Sequence, residues 1–333
     1  MSYLPMLAAA ALIAAVAAWV GALATVLWLA VATVVGYAYL SAGTRHQRLQ
    51  YHGVRVTSQS QPELMTVVDE VMTRAGIRRL DGVWLVPGAN AAALLGHRDW
   101  LGRRRFGLIV GLLVAAHLDA AEMRAVLAHE AGHLTERNLL RVRLCARRRH
   151  AAVRLERRGS RPLWWYWNWF LKVTREQALE SERHADRVAV RMYGAEATKR
   201  ALHRVAEANA LHKITIKKIV RPLWDSRVAP ATLFEAYDLV WTQSPEQVKA
   251  ALDALMSATD SPGDTHPGMA ERCGGRCYPL APALRGDVRL AQLADIDRRC
   301  SARLAREQRH LMTAMSWPEI KVMLKLQAGT EVS

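Results

Sequence analysis

His129-Glu130-Ala131-Gly132-His133 is the stretch on which the reading of this sequence turns. Residues four apart on a helix project to nearly the same side, because each residue turns the helix by about 100°. His129 and His133 can therefore hold one metal ion between two imidazoles. Glu130 stands beside that ion without being a ligand, and it can take a proton from a metal-bound water. The helix itself is well specified. Asp119 is its predicted N-cap, and Glu122 three positions on gives the capping-box spacing. The helix is predicted to run to about Thr135, with the apolar Val126-Leu127-Ala128 leading into the motif.

A catalytic zinc site takes three protein ligands and keeps one position for water, so a third ligand is expected elsewhere. Glu182 is the preferred candidate, in Glu182-Arg183-His184-Ala185-Asp186, on a helix predicted over 174–193. Asp186 lies one turn on. A carboxylate there can bind a ligand histidine through its other ring nitrogen and fix its tautomer. Glu176 and Glu180 compete with Glu182 on spacing alone.

Outward from these helices the chain reads as mainly helical with a few strands. Leu64, Val67, Val68, Val71 and Met72 at helical spacing predict a helix over 60–75, ended by Gly76. Val83–Val86, closed by Pro87-Gly88, predicts a strand. Residues 106–114 are a second strand candidate, with a buried helix as the alternative that an apolar run leaves open. Residues 194–255 read as helical with breaks near Pro222 and Pro230, 261–264 as a loop, and 284–326 as mostly helical and basic.

The chain has 333 residues, 46 Lys+Arg against 30 Asp+Glu and a formal charge of +16. Half its residues are apolar, which excludes a mainly disordered chain. Four cysteines in this length exclude a disulfide scaffold and suit a reducing compartment. From Leu4 to Leu40 there is no charged residue. That run exceeds the ~20 residues one helix needs to cross a bilayer core, so a membrane anchor is expected, as a hairpin turning near Trp19-Val20-Gly21 or as one long span. A cleaved signal peptide fits poorly, because no Lys or Arg precedes the run and the run is too long. Arg45, Arg48 and Arg55 follow it, which places the rest of the chain in the cytoplasm by the positive-inside rule.

Residues 137–161 hold ten Arg and one acid, and Leu163-Trp164-Trp165-Tyr166-Trp167-Asn168-Trp169-Phe170 follows. Arginines against anionic head groups and Trp and Tyr in the interfacial belt predict a membrane-surface element over about 137–173. Nucleic-acid binding is the rival reading and is disfavoured, since the chain is already anchored in a membrane. Cys273-Gly274-Gly275-Arg276-Cys277 lacks a second pair of ligands, so a structural role is expected. His97, His117 and His184 read as packing or surface residues.

Together these residues resemble the integral-membrane gluzincin zinc metalloproteases that include the stress protease HtpX and the CAAX prenyl endoproteases. Asn90-Ala91-Ala92-Ala93 looks like the family's N-A-x-A edge-strand segment. Gly111-Leu112-Leu113 and Glu122–Ala128 resemble the stretch leading into its zinc helix. Glu182-x-x-Ala185-Asp186 resembles its E-x-x-A-D segment, and Thr265-His266-Pro267 with Arg272 its T-H-P…R segment. Two departures stand out: Ala178 and Leu179 replace a frequent Ser-Arg pair, and the Arg-rich stretch lies where HtpX-type chains often carry further membrane helices.

The resemblance implies a membrane-anchored, zincin-like α+β fold, mainly α, with a small sheet edge beside the H-E-x-x-H helix. It implies one zinc ion on His129, His133 and Glu182, with Glu130 as general base and Asp186 behind the ligands. His266 and Arg272 would stabilise the oxyanion, and Asn90, Ala91, Ala92 and Ala93 would bind substrate. The expected organisation is an anchor over 1–43, a metalloprotease domain over 44–280 and a helical extension over 281–333. The expected partners are a protein or peptide substrate and the lipid bilayer. The expected activity is endopeptidase cleavage in membrane-protein quality control or regulatory proteolysis.

Overall fold

The computed structural model describes parts of 11–25, and residues 53–77, 80–95, 106–135, 164–258, 268–275, 278–281, 290–306 and 312–322. The chain divides into two compact units, one of residues 1–50 and 147–162, the other of 51–146 and 163–333. In the first, the described residues of 11–25 are helical, and Leu12, Ile13, Val16, Trp19 and Val20 are exposed. Most of the expected anchor and all of 137–163 lie outside the described residues. Among the described residues, no helix is long and apolar enough to cross a membrane.

The second unit opens with β1 (Val54–Val56), α1 (Pro62–Arg74), β2 (Gly82–Val86), β3 (Ala91–Leu95) and β4 (Phe106–Gly111). The strands form one sheet in the order β1-β2-β4-β3. Strands β2 and β4 are parallel, and β3 runs antiparallel to β4 with Ala93 opposite Leu108. Strand β3 is thus an edge strand. Helix α1 buries Leu64, Val67, Val68, Val71 and Met72, the stripe its spacing predicts. Burying each such side chain contributes about 1.5–3 kcal/mol.

The strand expected over 106–114 stops at Gly111, and Leu112–His117 is a short helix, α2. The cause is tertiary. Gly111 donates its N–H to Asn90, and Leu113 donates to Gly88, so the chain leaves the ladder there. Periodicity cannot separate a buried strand from a buried helix.

Helix α3 (Ala120–Thr135) begins where the capping box places it. The Glu122 N–H donates to Asp119 Oδ1 at 2.7 Å, and the Asp119 N–H donates to Glu122 Oε2 at 3.0 Å. Helix α4 (Trp164–Tyr193) is ten residues longer at its start than the predicted 174–193. The aromatic run expected as a separate surface element is therefore helical in backbone and continuous with α4, and Trp169 and Val173 are exposed.

Helix α5 (Ala195–Thr215) passes through a π-turn (Ile216–Val220) into α6 (Arg221–Asp225) without a break. Pro222 was expected to interrupt the helix and does not. The Arg221 N–H reaches back five residues to Ile216, and this wider register accommodates a residue that has no N–H to donate. The real break is β5 (Val228–Pro230), followed by α7 (Phe234–Gln243) and α8 (Pro245–Ser257).

Beyond α9 (Met269–Cys273) comes α10 (Leu293–Arg306), whose Ile296 and Cys300 join the main core. The predicted helical run over 284–326 is interrupted by β6 (Thr313–Met315), which pairs in parallel with β5. The loop expected over 261–264 lies outside the described residues.

Candidate metal centre

Helix α3 is buried on nearly every face, including Ala125–Gly132 without interruption. Its polar side chains are buried with it, so each needs a partner. Helix α4 crosses α3 closely enough to supply those of the two histidines. A Cβ on Gly132 would lie 2.6 Å from Ala185 Cα and 3.2 Å from Ala185 Cβ. Only glycine permits this approach, and Ala185 lies between Glu182 and Asp186 on the facing turn.

The approach brings together three of the expected residues. One ligand atom from each of His129, His133 and Glu182 lies within 4.8 Å of the others, the one such group among the described residues. His133 Nε2 is 3.4 Å from Glu182 Oε1, and His129 Nε2 is 3.6 Å from Glu182 Oε2. Two ligands on a tetrahedral ion at 2.0–2.1 Å stand roughly 3.4 Å apart. The donor types and these two histidine–glutamate spacings fit zinc. Glu176 and Glu180 instead point to solvent, where they pair with Arg183 and Arg187.

The remaining nitrogens are held from behind. His129 Nδ1 is 2.8 Å from Asp186 Oδ1, so Nδ1 carries the proton and Nε2 faces Glu182. Arg272 on α9 donates to both Asp186 oxygens, from Nε at 3.0 Å and from Nη2 at 2.7 Å. The same Nη2 lies 3.7 Å from Glu182 and 3.4 Å from His129 Nδ1. Ser181 Oγ is 3.5 Å from His133 Nδ1.

Burial alone would push the Asp186 carboxyl up. The bonds from His129 and Arg272 outweigh it and hold the group well below the usual carboxylate range. Burial likewise pulls the His129 imidazolium down, but the Asp186 bond and the charges of Glu130 and Glu182 lift its pKa above the ordinary value.

Glu130 is buried at 8% exposure, and its Oε2 accepts the Ala93 N–H at 2.7 Å. The carboxylate thus faces the expected substrate segment, of which Ala91–Ala93 lie in β3 and Asn90 just precedes it. His266 lies outside the described residues, as do His97 and Cys277. His117 is buried with Nε2 3.4 Å from Glu207, and His184 is half-buried outside the converging group. Cys273 is buried, its Sγ 3.8 Å from the Lys199 carbonyl. Gly274 takes φ +63° to end α9, which explains the glycine between the cysteines.

Sequence reading missed Gly132 and Ala185 as the contact that sets the spacing. A small residue on each of two ligand-bearing helices was the available signal. It also missed the pairing of Arg272 with Asp186, for which no local signal exists.

A helix-borne H-E-x-x-H facing a second helix with Glu182 and Asp186 is an arrangement that fits a metallopeptidase. The sequence model of Peptidase family M48 matches residues 58–274, and the chain belongs to that family, whose members are zinc-dependent. No curated protein and no solved structure matches the chain.

Proposed function

We propose that this chain is a membrane-bound zinc endopeptidase holding one zinc ion per chain on His129, His133 and Glu182. Its role is HtpX-like, in membrane-protein quality control or regulatory proteolysis. Residues 1–43 form the anchor, and the catalytic domain over 44–280 faces the cytoplasm. The observation that carries the reading is the convergence of His129, His133 and Glu182 next to the buried carboxylate of Glu130.

Zinc, when bound, supplies Lewis acidity and lowers the pKa of water toward neutrality. The chain's own groups do the rest. Glu130 is the general base; it takes a proton and returns it to the leaving amine. Its bond to the Ala93 N–H fixes the carboxylate against the sheet edge. An extended substrate adds to β3 as a further strand, with backbone pairing supplying affinity. That strand passes directly over the base. Asp186 keeps His129 in the tautomer that turns Nε2 to the metal. His266 is assigned, on the T-H-P…R resemblance, as donor to the developing oxyanion.

The test compares full-length protein with Glu130→Gln on an unfolded protein substrate, with and without a zinc chelator. The variant should keep its zinc and lose turnover by about 10²–10⁴-fold. Cleavage at the wild-type rate by Glu130→Gln would remove it as the base. The membrane assignment rests on the uncharged run and the Arg-rich stretch. It predicts flotation of the full-length protein with anionic vesicles, and protein left at the bottom of the gradient would end it.

A further inference from the structure

Arg272 is the least explained charge at this centre. Its side chain is 7% exposed, and it comes from a segment 86 residues beyond Asp186. The resemblance assigns it to the oxyanion. Its bonds point elsewhere.

We propose that Arg272 is a positioning residue for the metal centre, clamping both oxygens of Asp186 so that Asp186 holds the His129 ring in its metal-binding orientation. The inference rests on the metallopeptidase reading above.

A carboxylate that accepts only from His129 can still rotate about its last bond. Two donors from one planar fork remove that freedom. The Nε and Nη2 bonds to Oδ2 and Oδ1 are such a fork. The anchor behind the fork is firm. Cys273 follows directly and is fully buried against α5, with its Sγ near the Lys199 carbonyl. Gly274 and Gly275 then close α9 in left-handed conformations, and the Gly275 N–H donates to Ala270. The guanidinium is thereby held by the docking of α9 on α5. Orientation of His129 depends on a chain segment remote from both ligand helices.

Three roles for Arg272 predict different signs. With neutral imidazoles, Glu130, Glu182 and Asp186 against Arg272 leave two negative charges facing the ion. If Arg272 acted only as a nearby positive charge, removing it would tighten zinc binding. If it acted only on the oxyanion, removal would leave zinc affinity unchanged and lower kcat. If it positions Asp186, removal weakens zinc binding, and lysine does not restore it, because a single ammonium cannot make the fork.

The experiment measures zinc affinity of the full-length protein by competition with a chelating dye. It uses wild type, Arg272→Ala, Arg272→Lys, Asp186→Asn and the Arg272→Ala/Asp186→Asn double variant, each checked for folding by circular dichroism. The expected result is a 10–100-fold weaker site in each single variant, the range for groups behind metal ligands. The double variant should be no weaker than Asp186→Asn alone, since both act through one contact. Wild-type or tighter zinc binding by Arg272→Ala overturns the proposal, as does full recovery in Arg272→Lys or full additivity in the double variant. Should Arg272→Ala not fold, Arg272→Lys against Asp186→Asn decides the question. A wild-type protein that takes up no zinc would instead overturn the metallopeptidase reading.

Discussion

Replacing Gly132 by alanine should separate the stability of this protein from its metal site. The new Cβ would stand 2.6 Å from Ala185 Cα, a backbone atom that no rotamer change can move. Carbon atoms in contact sit roughly 3.5–4.0 Å apart, so α3 and α4 must part by about 1 Å. Overpacking of this kind costs about 1–3 kcal/mol. Alanine recovers about 1 kcal/mol relative to glycine in a helix interior. The net loss is about 0–2 kcal/mol, a fall of at most about 8 °C in melting temperature for a unit of this size.

The metal site has far less tolerance. Metal–ligand distances hold to within about 0.2 Å, and the moved helices carry His129 and His133 on one side and Glu182 on the other. Zinc affinity should therefore fall by at least 10–100-fold, the scale of losses from merely disturbing groups behind the ligands. Dye competition gives the affinity, and thermal melting with chelator present gives the stability free of metal linkage. Ala185→Gly should not rescue the variant, because the closest clash is with Cα. Wild-type zinc affinity in Gly132→Ala would refute the claim that this crossing sets the ligand spacing.

Two further substitutions test the scaffold around the site. Asp119→Ala removes the N-cap of α3 and should cost about 0.5–2 kcal/mol, read by denaturant unfolding; an unchanged midpoint would mean the capping box contributes nothing. Glu207 is buried, and burial alone would raise its pKa. Bonds from His117, the Ala281 N–H and Arg204 outweigh this and lower it. Its stabilising contribution is thus fully present above the ordinary glutamate value of about 4.3 and is lost as pH falls below that, through the depressed folded value. Glu207→Gln should be less stable at pH 7, because Arg204 loses the negative charge that now lies 2.6 Å from it, and should show a shallower decline toward pH 3. Parallel acid-unfolding curves for the two proteins would rule this out.

The parts of the fold that the sequence revealed are those set by local contacts. The Asp119–Glu122 box, the stripe on α1 and the one-turn spacings 129/133 and 182/186 all lie within a few residues of chain. What it concealed was decided at long range. Pro222 reads as a helix breaker, yet the π-turn before it shifts the hydrogen-bond register and lets the helix pass. Leu112 reads as strand because nothing local shows that Gly111 and Leu113 are bonded to the 88–90 loop. The aromatic residues from Trp164 read as a separate element because their composition differs from that of 174–193, although one helix contains both. Arg272 could be matched to a motif but not to Asp186, which lies on a different helix.

Helix α3 itself illustrates why a motif could be read where periodicity could not. A helix buried on all faces has no amphipathic stripe to detect, and eight consecutive residues here, Ala125–Gly132, are buried. What marks it in the sequence is the presence of charged and titratable residues inside such a run. Burying them unpartnered would cost several kcal/mol in total, so the surrounding fold must answer each one. Glu122 is answered by the Asp119 N–H and by Arg200 2.9 Å away, His129 by Asp186, and Glu130 by the Ala93 N–H. Those answers come from the helix cap, α5, α4 and the sheet edge in turn. The polar residues of α3 thus determine which elements must surround it, and the same contacts that offset their burial leave two imidazoles and a carboxylate facing one point.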